Sequence, residues 1–162
     1  MKKILLVSFL ALSASAFAQS TMKEEVDIIQ ANYGKSKKEL IGSYMKLTEP
    51  KASAFWKLYD EYEKERKDLG KKKIQIVSEY ANNYEKLTEE KADEIVKSTI
   101  KNNIAYEKLF EKYYEKTKGI LGAIDAAKFV QLEAYLQTSV RSEIQDAIPF
   151  VGEIERAKPM KK

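Results

Sequence analysis

The sequence predicts an all-α protein of four helices, two of them long, arranged as an antiparallel helical hairpin or elongated bundle that can present a cradle-like face. Three observations predict it. Charged residues make up 33% of the chain, while glycine and proline number only 6 and 3, a composition that favours helix. Apolar residues recur at steps of three, four or seven, the period of one helical face. And one phrase occurs twice: Leu47-Thr48-Glu49-Pro50-Lys51-Ala52 returns as Leu87-Thr88-Glu89-Glu90-Lys91-Ala92, each copy opening a long periodic run. Threonine suits a helix start, because its hydroxyl accepts from a first-turn N–H that has no partner within the helix. The glutamates behind it place negative charge at the positive end of the helix dipole.

The first helix is predicted between Met22 and Tyr44, where Met22, Val26, Ile29, Tyr33, Leu40 and Tyr44 share a face. Gly34 and Ser36 are expected to break or fray it, so the prediction is firmer after Lys35. The second starts at Thr48, with Pro50 tolerated in its first turn. Phe55, Tyr62, Leu69 and Ile76 recur every seven residues, which implies a long helix packing at a shallow angle. The face keeps its register across Gly70, so one helix, bent there if anywhere, is preferred to two. It is expected to end near Asn82 and Asn83.

The third helix runs from Glu89 to about Lys118, on the order of 45 Å at 1.5 Å per residue. Ala92, Thr99, Tyr106 and Tyr113 form one sevenfold line, and Val96, Asn103, Phe110 and Thr117 the next. Asn102 and Asn103 are polar residues in or beside this seam and can fix its register. Gly119 and Gly122 are expected to end the helix. A worn third phrase then places Asp125 as the cap of a fourth helix, whose buried face is Phe129, Leu132, Leu136, Val140 and Ile144. Pro149 stops it. Helices this long exceed what a tight four-helix bundle needs. The sequence therefore predicts accessible aromatic side chains and a homodimer to cover part of them.

Lys2 and Lys3, the apolar run Ile4 to Leu12, and Ala16-Phe17-Ala18 match a cleavable signal peptide. The expected divisions are residues 1–18 as the signal, 19–151 as one helical domain and 152–162 as a Lys-rich disordered tail. Ile148, Phe150 and Val151 stand out near that tail as apolar residues that should dock. The expected address is the periplasm, with no membrane-spanning segment after cleavage. Without Lys2 and Lys3 the chain carries 27 basic against 25 acidic side chains, which argues against nucleic acid as the main partner. There is no cysteine and no histidine. That removes disulfide staples, the usual transition-metal ligand and the usual general base. No cofactor, metal site or enzymatic activity is expected. Acid pairs such as Glu89-Glu90 and Asp93-Glu94 are accounted for by the helix dipole.

The doubled phrase, carried by Leu47, Thr48, Leu87 and Thr88 with a spacing of about forty residues, resembles the Leu-Thr-x-x-Gln motif of Spy/CpxP-like periplasmic proteins. Lys51 and Lys91 stand where that motif has Gln, and Lys cannot accept the hydrogen bond that completes a capping box. Phe55-Trp56, Tyr59-Asp60-Glu61-Tyr62, Leu87-Thr88, Leu132-Glu133 and Ile148-Pro149-Phe150-Val151 are similar to a second group, small exported helical proteins with no settled activity. The Spy-like resemblance implies ATP-independent binding of unfolded proteins in a helical cradle, or a role in envelope-stress signalling.

Two readings of the aromatic belt stay open: packing core, or a client-binding face. On the second, Trp56, Tyr59, Tyr62, Tyr106, Tyr113 and Tyr114 contact clients together with Lys67 and Lys71, tyrosine offering apolar area with a polar tip. The stretch Lys64 to Lys73 reads either as a solvated surface or as electrostatic capture of acidic clients. The expected function is a periplasmic holdase-type chaperone or stress accessory that binds unfolded envelope proteins. The alternatives are a signalling subunit that binds a sensor-protein domain, and a structural envelope protein.

Overall fold

The computed structural model describes residues 33–148, and all of their regular structure is helical. Helix α1 covers residues 33–45, α2 spans Lys51–Asn83, a 3-10 turn covers Tyr84–Lys86, α3 spans Glu89–Leu121 and α4 spans Ala123–Ala147. The cleavage segment, the start of the predicted first helix and the Lys-rich tail lie outside the described residues. The chain divides into two units at Tyr44/Met45. In the first, α1 is helical through both Gly34 and Ser36, with Ile41 buried and Leu40 and Tyr44 exposed.

In the second unit, α2 and α3 form the predicted antiparallel hairpin. Each has 33 residues, about 50 Å of helix. Cross-links mark the antiparallel register along it. Lys51 Nζ donates to the Leu121 carbonyl at 3.4 Å, Lys116 pairs with Glu61 at 3.4 Å, and Lys112 pairs with Glu65 at 2.7 Å. Nearer the other end, the Asn102 amide donates to the Leu69 carbonyl at 3.1 Å. Helix α2 is continuous through Gly70.

The two copies of the repeated phrase behave differently. Thr88 caps α3 as predicted: its backbone is extended and its hydroxyl accepts from Lys91 N–H at 3.2 Å. Leu87 packs beside the Ile76, Tyr80 and Ile95 cluster. Thr48 does not cap α2. Pro50 holds the cap position without a side-chain bond, and the Glu49 carboxylate accepts from the Ser53 N–H and hydroxyl instead, at 3.3 and 2.7 Å. Proline at the cap moves the helix start two residues beyond Thr48, whose carbonyl still accepts from Ala52 N–H at 3.0 Å.

Asp125 is not a cap either. Helix α3 continues through Gly119 to Leu121, and Gly122 alone joins it to α4. Gly122 has φ 93° and ψ 166°, a region essentially reserved for glycine. Its N–H donates to the Lys118 carbonyl and its own carbonyl accepts from Ala126, at 3.0 and 3.1 Å. Asp125 therefore sits inside the first turn, paired with Lys128 at 2.9 Å.

Helix α4 lies against α3, and no Cα of α4 comes within 8 Å of α2. Aromatic rings fill that wider gap. Phe129 of α4 meets Phe55 and Tyr62 of α2 edge-on, at 5.3 and 5.4 Å between centroids, and Tyr62 meets Tyr113 of α3 at 5.2 Å. These separations and tilts are the favourable ones for ring pairs.

Candidate binding surface

Helix α4 decides which aromatic residues are available. It is the covering layer that a bare hairpin would lack, and it seals most of the predicted belt. Tyr59, Tyr62, Tyr106 and Tyr113 are all buried, together with Phe55, Phe110 and Phe129. Of the two readings left open for the belt, these rings take the first: in this fold they are packing core, and the large exposed aromatics among the described residues are Tyr44 and Tyr135. Trp56 and Tyr114 are half-buried, as are Lys67 and Lys71. Trp56 rests edge-on against Tyr59 at 5.4 Å, so it is an outlier of the core cluster. The structure does not bring these eight residues onto one open face.

Lysine and tyrosine do meet, at the predicted Tyr113 but with lysines other than Lys67 and Lys71. Lys112 and Lys116 lie 5.3 and 5.0 Å from the centre of the Tyr113 ring, within cation–π range. The Tyr113 hydroxyl donates to Glu65 at 2.8 Å. Burial, with that carboxylate beside it, raises the pKa of the Tyr113 phenol. Hydrogen bonding to Lys112 holds the Glu65 carboxyl below its usual range.

A polar cluster lies between the helices. The Tyr62 hydroxyl donates to Glu133 at 2.6 Å, joining α2 to α4. Arg66 makes a two-pronged bond to Glu63, at 2.8 and 3.1 Å, and both side chains are buried. Arg66 thus leaves the solvated surface on which its Lys-rich neighbours had placed it. Tyr106 interacts with Arg66, with Gln137 and with Arg141, and burial is the main cause raising its pKa. Burial, followed by repulsion from Arg141, lowers the pKa of Lys73. Glu63, Glu133, Arg66 and Arg141 thus gather around the buried rings of Tyr62 and Tyr106. Among the described residues no group of three or more acids is placed to hold a metal ion.

The open apolar surface is elsewhere. Val96, Ile100 and Ile104 are 55%, 52% and 50% exposed. Four-residue spacing stacks them on one side of α3. The opposite sides of the helix carry Ile95, Asn102 and Leu109, and Tyr106, Phe110 and Thr117, all buried. The row continues into acids: Glu89 and Asp93 before it, Glu107 and Glu111 after it. Asp93 is bridged to Lys97 at 2.6 Å. Sequence reasoning placed Val96 in the seam because its sevenfold line ends in Phe110 and Thr117, which are buried. The signal it passed over was the fourfold spacing of three aliphatic residues in a helix that already had two packed sides. Val140, expected in the buried face of α4, is 37% exposed; Tyr135 and Ile124 project from the same helix.

Compared with known proteins, the chain matches no family model, no curated protein and no solved structure. Among the described residues, no helix is long and apolar enough to cross a membrane.

Proposed function

We propose that this chain is an exported, periplasmic binding protein that holds exposed apolar segments of unfolded envelope proteins reversibly and without nucleotide. The observation that carries this reading is the row Val96, Ile100 and Ile104, three half-exposed aliphatic side chains in line on a helix whose packed side is the one carrying Ile95, Tyr106 and Leu109. Isolated exposed apolar residues need no explanation, but a contiguous row flanked by charge is the pattern of a contact surface. An apolar strip three side chains long gives weak, fast-exchanging contacts, which suits capture and release better than a permanent complex. The client face therefore shifts from the aromatic belt to α3. The resemblance to Spy/CpxP-like proteins supports the same reading from the doubled Leu-Thr phrase, and the signal-like first residues support export.

The row does not favour a symmetric dimer. Antiparallel pairing centred on Ile100 sets Asp93 against Glu107 and Glu89 against Glu111. Parallel pairing sets each acid against its own copy. Like charges in register oppose both. The test is suppression of aggregation of a chemically unfolded client by near-stoichiometric protein in the absence of ATP. Replacing Ile100 and Ile104 by Asp should abolish suppression with helicity unchanged. Suppression that survives those changes, or tight binding to one sensor domain with no suppression at all, would overturn the holdase reading.

A further inference from the structure

Charge at the two ends of the apolar row bears on which segments it selects. We propose that Val96, Ile100 and Ile104 bind amphipathic helical segments whose own apolar row is bracketed by lysine or arginine. This rests on the holdase reading above and narrows it to one class of client. Steps of three or four residues carry the row's line on to Asp93 and Glu89 at one end, and to Glu107 and Glu111 at the other. The whole line is about 33 Å long. All four acids are exposed. Asp93 is engaged by Lys97 at 2.6 Å, whereas Glu89, Glu107 and Glu111 have no ion-pair partner among the described residues. The nearest lysines, Lys97, Lys101 and Lys108, lie roughly 60–100° round the helix from Ile100, so they border one edge of the line and do not close its ends. A client therefore meets negative charge beyond each end of its apolar contact. Basic residues placed there are attracted, and acidic ones are repelled.

The client conformation follows from what α3 can offer. An extended segment is held through backbone bonds to a sheet edge. All regular structure among the described residues is helical, so an extended backbone would find no ladder to join. A helix satisfies its own backbone groups and binds through an apolar face. Its side chains four apart repeat at about 6 Å, the spacing at which Val96, Ile100 and Ile104 follow one another. From Asp93 to Glu107 is about 21 Å, so a client helix of about 15–18 residues spans the row and reaches the acids at both ends. This reverses the expectation drawn from Lys64 to Lys73, that charge favours acidic clients. That stretch belongs to α2, and its Arg66 is buried against Glu63.

The test uses two fluorescent synthetic helices of about 18 residues. Both are built on alanine with three leucines spaced four apart, and they differ only in carrying lysine or glutamate at their ends. Titrated with the full chain at low ionic strength, the lysine-ended peptide should bind at least about tenfold more tightly, a preference that shrinks with added salt. Glu107→Lys with Glu111→Lys should remove most of that preference, and Ile100→Asp should abolish binding of both peptides. All three positions are exposed, so helicity should stay unchanged. Equal affinities, or tighter binding of the glutamate-ended peptide, would overturn the proposal. So would undiminished binding of a lysine-ended peptide with proline at its centre, which breaks the helix. If neither peptide binds while aggregation of an unfolded client is still suppressed, the client class is wrong and the holdase reading stands. If suppression fails as well, both fall.

Discussion

Arg66 and Glu63 show how much a single buried charge can matter. Their two-pronged bond joins them inside the protein, so removing one takes that bond from the other, which stays charged and buried. Arg66→Ala is therefore expected to cost about 3 kcal/mol of stability in denaturant unfolding. Replacing both with apolar residues of similar volume should cost clearly less, since no orphaned charge remains. A sequence reader had little chance of finding this pair. Arg66 stands among Lys64, Lys67, Lys71, Lys72 and Lys73, and nothing local distinguishes the one basic residue that turns inward. Asn102 was easier. Its place in or beside the seam followed from the spacing, and its amide N–H donates to the Leu69 carbonyl, while its amide oxygen is buried without a hydrogen-bond partner among the described residues.

Helix ends repay a comparison of like with like. Thr88 bonds to the first turn of α3, whereas Thr48 offers α2 only its carbonyl. Thr88→Ala should lower the thermal midpoint by the equivalent of about 1 kcal/mol, and Thr48→Ala should be close to neutral. Gly122→Ala isolates a backbone effect, because an added Cβ would meet nothing within 4 Å. Its cost, about 1–3 kcal/mol, comes from the positive φ alone, and the loss should appear in chemical denaturation with no change in helical content of the folded state. The order and approximate lengths of the helices were legible because sevenfold periodicity survives Gly70; that α3 runs through Gly119 to Leu121 was not, since Gly119 reads as a stop. Nor was the cap of α4. Asp125 has the right side chain for a cap, but Gly122 turns the chain three residues earlier, and the demand for a positive φ leaves no mark beyond the glycine itself. The aromatic belt was legible as a helical face. Its role was not, because whether a ring is core or surface depends on α4, a helix distant in sequence from α2.

Across the described residues, the response to pH follows from which groups are shifted and from the lack of histidine. Burial raises the pKa of Tyr62, Tyr80 and Tyr106, and of Tyr113. A phenol raised in the folded state keeps its proton while the unfolded chain loses its own above about pH 10. Their contribution is therefore complete below that value and declines as pH rises beyond it. Glu65 is shifted the other way, chiefly by Lys112, so its contribution holds above the usual carboxylate range and fades as acid protonates it. Between these limits no side chain with an ordinary pKa titrates; Lys73, held low chiefly by burial, gives up its proton first in the folded state and so adds stability as pH climbs toward the usual lysine range. Chemical unfolding should give a flat stability from about pH 6 to pH 8, with a fall above pH 10 that is reduced in Tyr62→Phe. The way α4 is attached has a further consequence. It meets α2 only through side chains that bridge a gap wider than normal backbone packing, and it joins α3 through one residue. Its amide protons should thus exchange with deuterated solvent before those of the long hairpin, as a block rather than one by one. The rings it covers would then be released together, so the inner aromatic surface is hidden by an equilibrium and not by a permanent lid.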